Sequence, residues 1–303
     1  GALEPLDDML KGWEARSDIA EDIWQLNRAS DGKQYYLPLQ YVVLYLYYRQ
    51  DLFDQAGIAP PRSFDDFLKA AKALTKDGVY GFGMRGGAGG HDHWGPFVLG
   101  GGATFEKGGM VSEKALAANR WFVELGTKEK VFPPSAPTDG FRQIIDGFKA
   151  GRTAMTIHHV GSSNEMVEAL GDKVSAGPVP RAPDGRGWTS FGDESNAIFS
   201  ASPNKEAAFR WISFLSTAEN NVAFNGFTGQ LTVTTSGMAD WKLHPKRFVT
   251  ASEQSLAIAG VLPDSPKTAD FVRTVWPTNM QRALLGQISP DEMMHAFEKH
   301  FHG

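Results

Sequence analysis

The sequence of 303 residues contains no cysteine. Disulfides, thiolate nucleophiles and cysteine-ligated zinc sites are therefore excluded together. An excess of positive charge is also missing, because 30 Lys and Arg residues are set against 35 Asp and Glu residues, for a formal net charge of −5. This balance argues against a general nucleic-acid-binding protein, which needs a basic face. No apolar run approaches the roughly 18 residues of a membrane-spanning helix, so no membrane insertion is expected.

Motifs for nucleotide binding and covalent catalysis are absent or incomplete. The run G-F-G-M-R-G at positions 81–86 has the form G-x-G-x-x-G, but it opens no recognisable helix, and no P-loop sequence occurs. A G-x-S-x-G nucleophile motif is missing. The adjacent carboxylates Asp193 and Glu194 would point to opposite faces of a strand, so they would not flank one glycosidic bond. The sequence therefore predicts no cofactor and does not favour an enzyme.

Histidines supply weak candidates for a metal site. His91 and His93 flank Asp92, and His158 is followed by His159. Two imidazoles two residues apart on a flexible loop lack the fixed geometry and third ligand that a metal site needs. We predict no metal ion here, and hydrogen bonding with aromatic contact as the role of the loop.

The N-terminus shows neither the basic n-region nor the apolar h-region of a secretory signal peptide. Either the protein is not exported, or its export signal has been removed.

Glycine and aromatic residues, by contrast, are plentiful: 33 Gly, 20 Phe, 8 Trp and 7 Tyr. Surplus rings usually fill a core. They also serve carbohydrate sites, because the C–H face of a sugar lies flat on a ring while its hydroxyls form hydrogen bonds. Both interpretations stay open from composition alone.

Short apolar runs alternate with helical segments of about 12 residues, which predicts an α/β protein. Ser63, Ser112 and Ser289 are placed to cap helices, and Thr217 is placed to cap another that ends at Gly226. The glycine-rich segment 85–96 is interpreted as a loop around Trp94.

Several segments together carry a family resemblance. They include D-G-K-Q-Y-Y-L-P at positions 31–38, P-R-S-F-D-D-F at 61–67 and F-K-A-G-R-T-A-M at 148–155, with further matches at 2–8, 47–57, 201–208 and 286–292. Each motif alone is soft, but the ordered set is specific and covers nearly the whole chain. The sequence resembles the family 1 extracellular solute-binding proteins, the sugar-binding subunits of ABC importers.

The resemblance implies a two-lobe periplasmic-binding-protein fold (type II) with hinge crossings near residues 40–45, 191–196 and 240–248. One lobe would comprise residues 1–41 and 195–242, and the other residues 45–191 and 247–303. Family members carry about 75 or more residues before the segment that matches Gly1, including leading strands, so we expect an incomplete first lobe with uncovered sheet edges.

The resemblance also implies a ligand cleft, lined by the crossings, by loops at strand ends and by nearby aromatics. Tyr41 and Trp94 are equally interpretable as core rings, and a charged residue at Asp193 or Glu194 either clamps sugar hydroxyls or faces water. Many relatives have a tryptophan after the central strand where this chain has H-V-G-S, so glycan identity and length do not carry over. The residues placed at the site are Gln40, Tyr41, Arg85, His91, Asp92, His93, Trp94, His158, His159, Asp193, Glu194, Arg273 and Trp276.

The function implied by the resemblance is capture of a sugar or oligosaccharide outside the cytoplasm and delivery to the permease subunits of an ABC transporter by lobe closure. No bond of the ligand would change, the location would be periplasmic, and the complete protein would be a monomer. One alternative is a binding protein for another solute, such as a polyamine or glycerophosphodiester. Asp193 and Glu194 in the cleft would favour a cationic or polyol ligand, and Arg85 and Arg273 an anionic one. A carbohydrate-active enzyme is the remaining alternative.

Overall fold

The computed structural model describes the backbone of residues 1–303 and every side chain except that of Asp193. Two four-stranded sheets organise the chain, and helices pack around them. The prediction of an α/β protein is confirmed. The strands are β1 (Tyr36–Val43), β2 (Tyr45–Arg49), β3 (Tyr80–Gly83), β4 (Thr153–His158), β5 (Val174–Gly177), β6 (Thr189–Ala197), β7 (Leu231–Thr232) and β8 (Ala259–Gly260).

The first sheet has the order β7-β1-β6-β8, and the second has the order β3-β4-β2-β5. In the first, β1 runs antiparallel to both β6 and β7, and β6 is parallel to β8. In the second, β2 runs antiparallel to β4 and β5, and β3 is parallel to β4. Strand neighbours distant in sequence mean that both sheets are assembled from separate parts of the chain.

The chain passes from the first sheet to the second at one residue, Leu44, between β1 and β2. Its amide donates to the Ser190 carbonyl oxygen (3.3 Å), and its carbonyl oxygen accepts from Thr189 Oγ1 (2.8 Å). Two crossing strands are therefore tied together at this point. The lobe boundaries 1–41 with 195–242 and 45–191 with 247–303 stay a prediction.

Three of the predicted caps form. The hydroxyls of Ser63, Ser112 and Ser289 accept from backbone amides three residues on, and Ser63 and Ser289 complete capping boxes. Thr217 does not cap, because its hydroxyl donates back to the Phe214 carbonyl oxygen. The helices are α1 (Asp7–Lys11), α2 (Glu21–Leu26), α3 (Gln50–Ala56), α4 (Phe64–Leu74), α5 (His91–Val98), α6 (Glu113–Thr127), α7 (Phe141–Lys149), α8 (Ser163–Leu170), α9 (Lys205–Leu215), α10 (Ala218–Thr228), α11 (Thr235–Ala239), α12 (Lys246–Leu256), α13 (Thr268–Asp270), α14 (Trp276–Leu284) and α15 (Pro290–His302).

The glycine-rich segment differs from its prediction as a loop, because α5 occupies its second half. Its glycines let neighbouring parts of the chain come close. A Cβ on Gly90 would lie 1.8 Å from the Arg85 carbonyl oxygen, and one on Gly95 would lie 2.2 Å from the Trp188 ring. The glycines therefore serve helix packing, which sequence spacing alone does not reveal.

Strand β2 divides the core between its two faces. Leu46 and Tyr48 belong to a cluster with α4, α5, α6, α14 and α15, whereas Tyr45 and Tyr47 belong to a second cluster that includes residues of the first sheet. Alternate side chains of a strand point to opposite faces, which explains the division. Among the described residues, no helix is both long and apolar enough to cross a membrane.

Candidate functional site

A cavity of about 150 Å³ lies where the crossing strands meet the second sheet. Val42 and Leu44 line it from one crossing, and Ser190 and Gly192 from the other. The remaining walls come from the ends of β3 and β4 and the starts of α5 and α7. Five predicted site residues are brought together here: Arg85, Asp92, His93, His158 and His159.

A larger, more open cleft of about 630 Å³ lies elsewhere, lined by residues around Arg28, Tyr36 and Val261. It gathers none of the predicted site residues whose side chains the structure describes. Charged and aromatic groups line both, but the smaller cavity is the more enclosed, as expected of a ligand site, and it is the one that gathers predicted site residues. We therefore treat the smaller cavity as the candidate site.

Arg85 follows β3 and brings a cation to the cavity wall. Its guanidinium carbon lies 5.8 Å from the centre of the Phe141 ring, within cation–π range. Nε is buried and has no hydrogen-bond partner among the described residues. Burial lowers the pKa of Arg85, and the nearby charge of Asp92 opposes that shift.

His158, the last residue of β4, and His159 have ring centres 4.5 Å apart, with the ring planes tilted by 34°. His158 Nδ1 lies 2.9 Å from Ser162 Oγ, and His159 Nδ1 accepts from the Gly161 amide (3.0 Å). Burial, with a further contribution from His159, holds the pKa of His158 well below its usual range. Burial also lowers the pKa of His159 to about 4, so both imidazoles are neutral at pH 7.

The first turn of α5 supplies His93 and Asp92. His93 Nδ1 accepts from the Arg85 amide (3.2 Å), and burial together with the Arg85 charge lowers the pKa of His93 to about 3. Asp92 Oδ1 lies 3.3 Å from His91 Nε2. His91 is buried just behind this wall and does not line the cavity.

Four predicted site residues lie in cores instead. Trp94 is completely buried, and its Nε1 donates to Asn119 Oδ1 (2.8 Å). Its ring therefore cannot stack on a ligand in this arrangement. Trp276 is also fully buried. Tyr41 belongs to the core around the first sheet, and buried Gln40 accepts from the Thr228 hydroxyl (3.3 Å). Alternation along β1 explains the position of Tyr41, which points to the face opposite that of the cavity-lining Val42.

Glu194 and Arg273 are exposed, and neither lines the cavity. The side chain of Asp193 lies outside the described residues, so that prediction is not tested.

Phe141, which the sequence analysis missed, closes one wall of the cavity. It is 39% exposed, and its ring centre lies 4.5 Å from that of His158. The residue shares a helix face with Ile144, Ile145 and Phe148, so sequence spacing suggests a core position. Its place at the first turn of α7 is the signal that could have suggested otherwise.

Among the described side chains, no group of three or more His, Cys, Asp or Glu residues could hold a metal ion. The described residues of the cavity offer one cation, one carboxylate, neutral imidazoles and a ring. Such a set can bind a small polar ligand by hydrogen bonding and aromatic contact.

The model of the bacterial extracellular solute-binding protein family matches residues 1–222. The chain therefore belongs to this family. The prediction of a solute-binding protein is confirmed, and the family and its fold are those of binding proteins rather than enzymes.

Individual proteins agree with this assignment. The chain is 27% identical to a binding protein of Brucella abortus (strain 2308), over 97% of this chain and 73% of that one. It is 26% identical to the maltodextrin-binding protein of Bacillus subtilis (strain 168), over 79% of this chain and 60% of that one. A solved solute-binding protein of Thermotoga lettingae, bound to α-D-tagatose, superposes with a TM-score of 0.83 at 23% identity, over 99% of this chain and 80% of that one. The predicted two-lobe binding-protein fold is confirmed.

Proposed function

We propose that this protein captures a sugar or oligosaccharide and that the cavity beside Leu44 holds one sugar unit. The maltodextrin-binding relative and the tagatose-bound structure support a carbohydrate ligand. The fold alone does not identify the ligand, so the side chains of the site have to indicate it.

The observation that carries the proposal is the pairing of a half-exposed ring with directional polar groups in one small cavity. Phe141 can accept the C–H face of a sugar. Arg85 donates hydrogen bonds and Asp92 accepts them. His159 Nδ1 already accepts from the Gly161 amide, so its neutral ring offers Nε2–H as a donor, whereas His158 donates or accepts according to its tautomer. At about 150 Å³ the cavity is smaller than the roughly 300–1,000 Å³ of pockets for drug-sized ligands, which suits a monosaccharide unit.

Binding without reaction fits this set of side chains. Among the described residues that line the cavity, Asp92 supplies the one carboxylate, whereas glycosidases use two that flank the bond. A polyamine is disfavoured because the Arg85 cation shares the wall. We therefore propose that the ligand leaves chemically unchanged.

Delivery of the ligand to an importer would depend on closure of the two lobes around it. A ligand that contacts both can shift the equilibrium only by its preference for the closed form. We propose that the closed, monomeric protein docks on the permease subunits of an ABC transporter in the periplasm. Cell fractionation, and ligand-dependent stimulation of the importer's ATPase in liposomes, would test the location and the partner.

Substitution of Gly192 tests the site directly. A Cβ at Gly192 meets no atom within 4 Å, so Gly192→Leu should fill the cavity while the fold remains intact. We expect calorimetry to detect sugar binding by the unsubstituted protein and at least a tenfold weaker affinity in the variant. Gly226→Leu is the matched control, because Gly226 also has no atom within 4 Å of its Cβ position and lies on α10, away from the cavity. Equal affinities in the two variants would place the site elsewhere.

A further inference from the structure

Arg85 brings a positive charge to the cavity wall, where Asp92 is close enough to favour its charged form but does not pair with it directly. None of the described carboxylates forms an ion pair with its guanidinium, and no side-chain nitrogen of Arg85 donates a hydrogen bond to a described protein atom. Removing an ion from water without a partner is costly. Arg85 is half-buried and faces the cavity, and its guanidinium has no ion-pair partner among the described residues, so it can receive an anion that arrives from outside.

The groups around Arg85 do not supply that anion. His93, His158 and His159 are neutral at pH 7, and the Arg85 charge contributes to the lowered pKa of His93 and of His158. Asp92 is the one described carboxylate on the wall, and its oxygen lies beside His91 Nε2 rather than at ion-pair distance from Arg85. Cation and carboxylate thus present separate contact points to a ligand.

We propose that the sugar unit bound here carries one anionic group, which Arg85 receives. This inference rests on the proposed function. The planar guanidinium offers two parallel donors, which match the paired oxygens of a carboxylate or phosphate. The hydroxyls of the same ligand would reach Asp92 and the imidazoles, and its C–H face would lie against Phe141. The ligand class is a monosaccharide acid or a monosaccharide phosphate.

Matched ligand pairs test the inference by calorimetry on the full chain. D-glucuronate and glucose 6-phosphate are each compared with D-glucose, and D-galacturonate is compared with D-galactose. Inorganic phosphate and acetate serve as anions without a sugar. We expect at least one anionic sugar to bind roughly 10- to 100-fold more tightly than its neutral parent, the range that a hydrogen-bonded charge contributes. Glucuronate against glucose 6-phosphate distinguishes the carboxylate from the phosphate.

Variants of Arg85 then locate the effect. Arg85→Gln should bring the ratio of acid to neutral affinity close to one, whereas Arg85→Lys should keep part of the preference because it keeps the charge. If Arg85→Gln does not fold, the salt dependence of the unsubstituted protein replaces it: acid affinity should fall with ionic strength and neutral affinity should not.

The outcomes separate the two proposals. Neutral sugars that bind as tightly as their acids, or a preference for acids that survives Arg85→Gln, would overturn the inference and leave sugar capture intact. Inorganic phosphate that binds as tightly as the sugar acid would also overturn it, because the sugar would then add nothing. Failure of every sugar, neutral or anionic, to bind at millimolar concentration would overturn both proposals.

Discussion

The histidines of the cavity make stability depend on pH. Burial lowers the pKa of His159 to about 4 and, with the Arg85 charge, that of His93 to about 3, from an ordinary value of 6.5. Between pH 6.5 and about 4 the unfolded chain therefore binds more protons than the folded one. The stabilisation is fully present above pH 6.5 and is lost as the pH falls, by up to about 1.4 kcal/mol per pH unit for each imidazole.

Urea unfolding at pH 7.5, 6.5 and 5.5 measures this slope. His159→Gln removes one buried imidazole, so the fall in unfolding free energy below pH 6.5 should become shallower. His295→Gln is the control, because it makes the same substitution at an exposed position on α15. Equal slopes in both variants would show that the buried imidazole does not titrate as described.

At single residues, five of the polar side chains predicted for the site gather at the candidate cavity, whereas the predicted aromatic ones do not. Arg85, Asp92, His93, His158 and His159 line the cavity because strand ends and a helix start bring them to one edge. Trp94 and Phe141 exchange the expected roles, since Trp94 is in the core and Phe141 is at the cavity. Ring placement depends on tertiary packing, which local spacing does not encode.

Among the helices and strands, features that depend on local sequence were predictable, and features that depend on tertiary packing were not. Capping at Ser63, Ser112 and Ser289 was predictable because a hydroxyl and a backbone amide three residues on suffice for it. Gly226 was expected to end α10, but the helix continues to Thr228 and closes at Gly229, which adopts φ 75°. Pro38 lies inside β1, where the register shifts between Pro38 and Gln40. That irregularity accommodates a residue without an amide hydrogen.

Helix α5 depends on the glycine that precedes it. Gly90→Ala would drive a Cβ against the Arg85 carbonyl oxygen and the Trp276 ring, at 1.8 and 2.6 Å, so the backbone must move. We expect the unfolding free energy to fall by about 2–4 kcal/mol. Gly147→Ala in α7 is the control, since its Cβ meets no atom within 4 Å and alanine favours a helix by roughly 1 kcal/mol. Chemical denaturation compares the two, and equal stabilities would contradict the packing argument.

At the scale of the whole molecule, α9 and α10 carry an aromatic surface that is exposed to solvent, which is unusual for the exterior of a protein. Trp211 and Phe214 are 60% and 51% exposed and stack with ring centres 6.0 Å apart, and Phe227 is 92% exposed. Contiguous apolar surface promotes association. We expect a monomer at low concentration and reversible self-association as concentration rises.

Sedimentation velocity over a concentration series tests this expectation. The double variant Trp211→Ser, Phe214→Ser should shift the onset of association to higher concentration, with little loss of thermal stability because both rings are largely exposed. Leu285→Ser, at a similarly exposed leucine on another surface, should leave association unchanged. Association that persists in the double variant would assign it to a different face.

The hydrogen bonds that join Leu44 to Thr189 and Ser190 have a consequence for relative motion of the two sheets. If the two sheets turn relative to one another, Thr189 and Ser190 fix the fulcrum beside Leu44, and the cavity lies against it. Residues close to the axis of a rotation move little, so Val42 and Gly192 would stay at nearly constant distances from a bound ligand. Displacement grows with distance from that point. Residues far from Leu44 would therefore make the rotation sensitive to ligand size, whereas residues beside Leu44 would make binding sensitive to ligand chemistry.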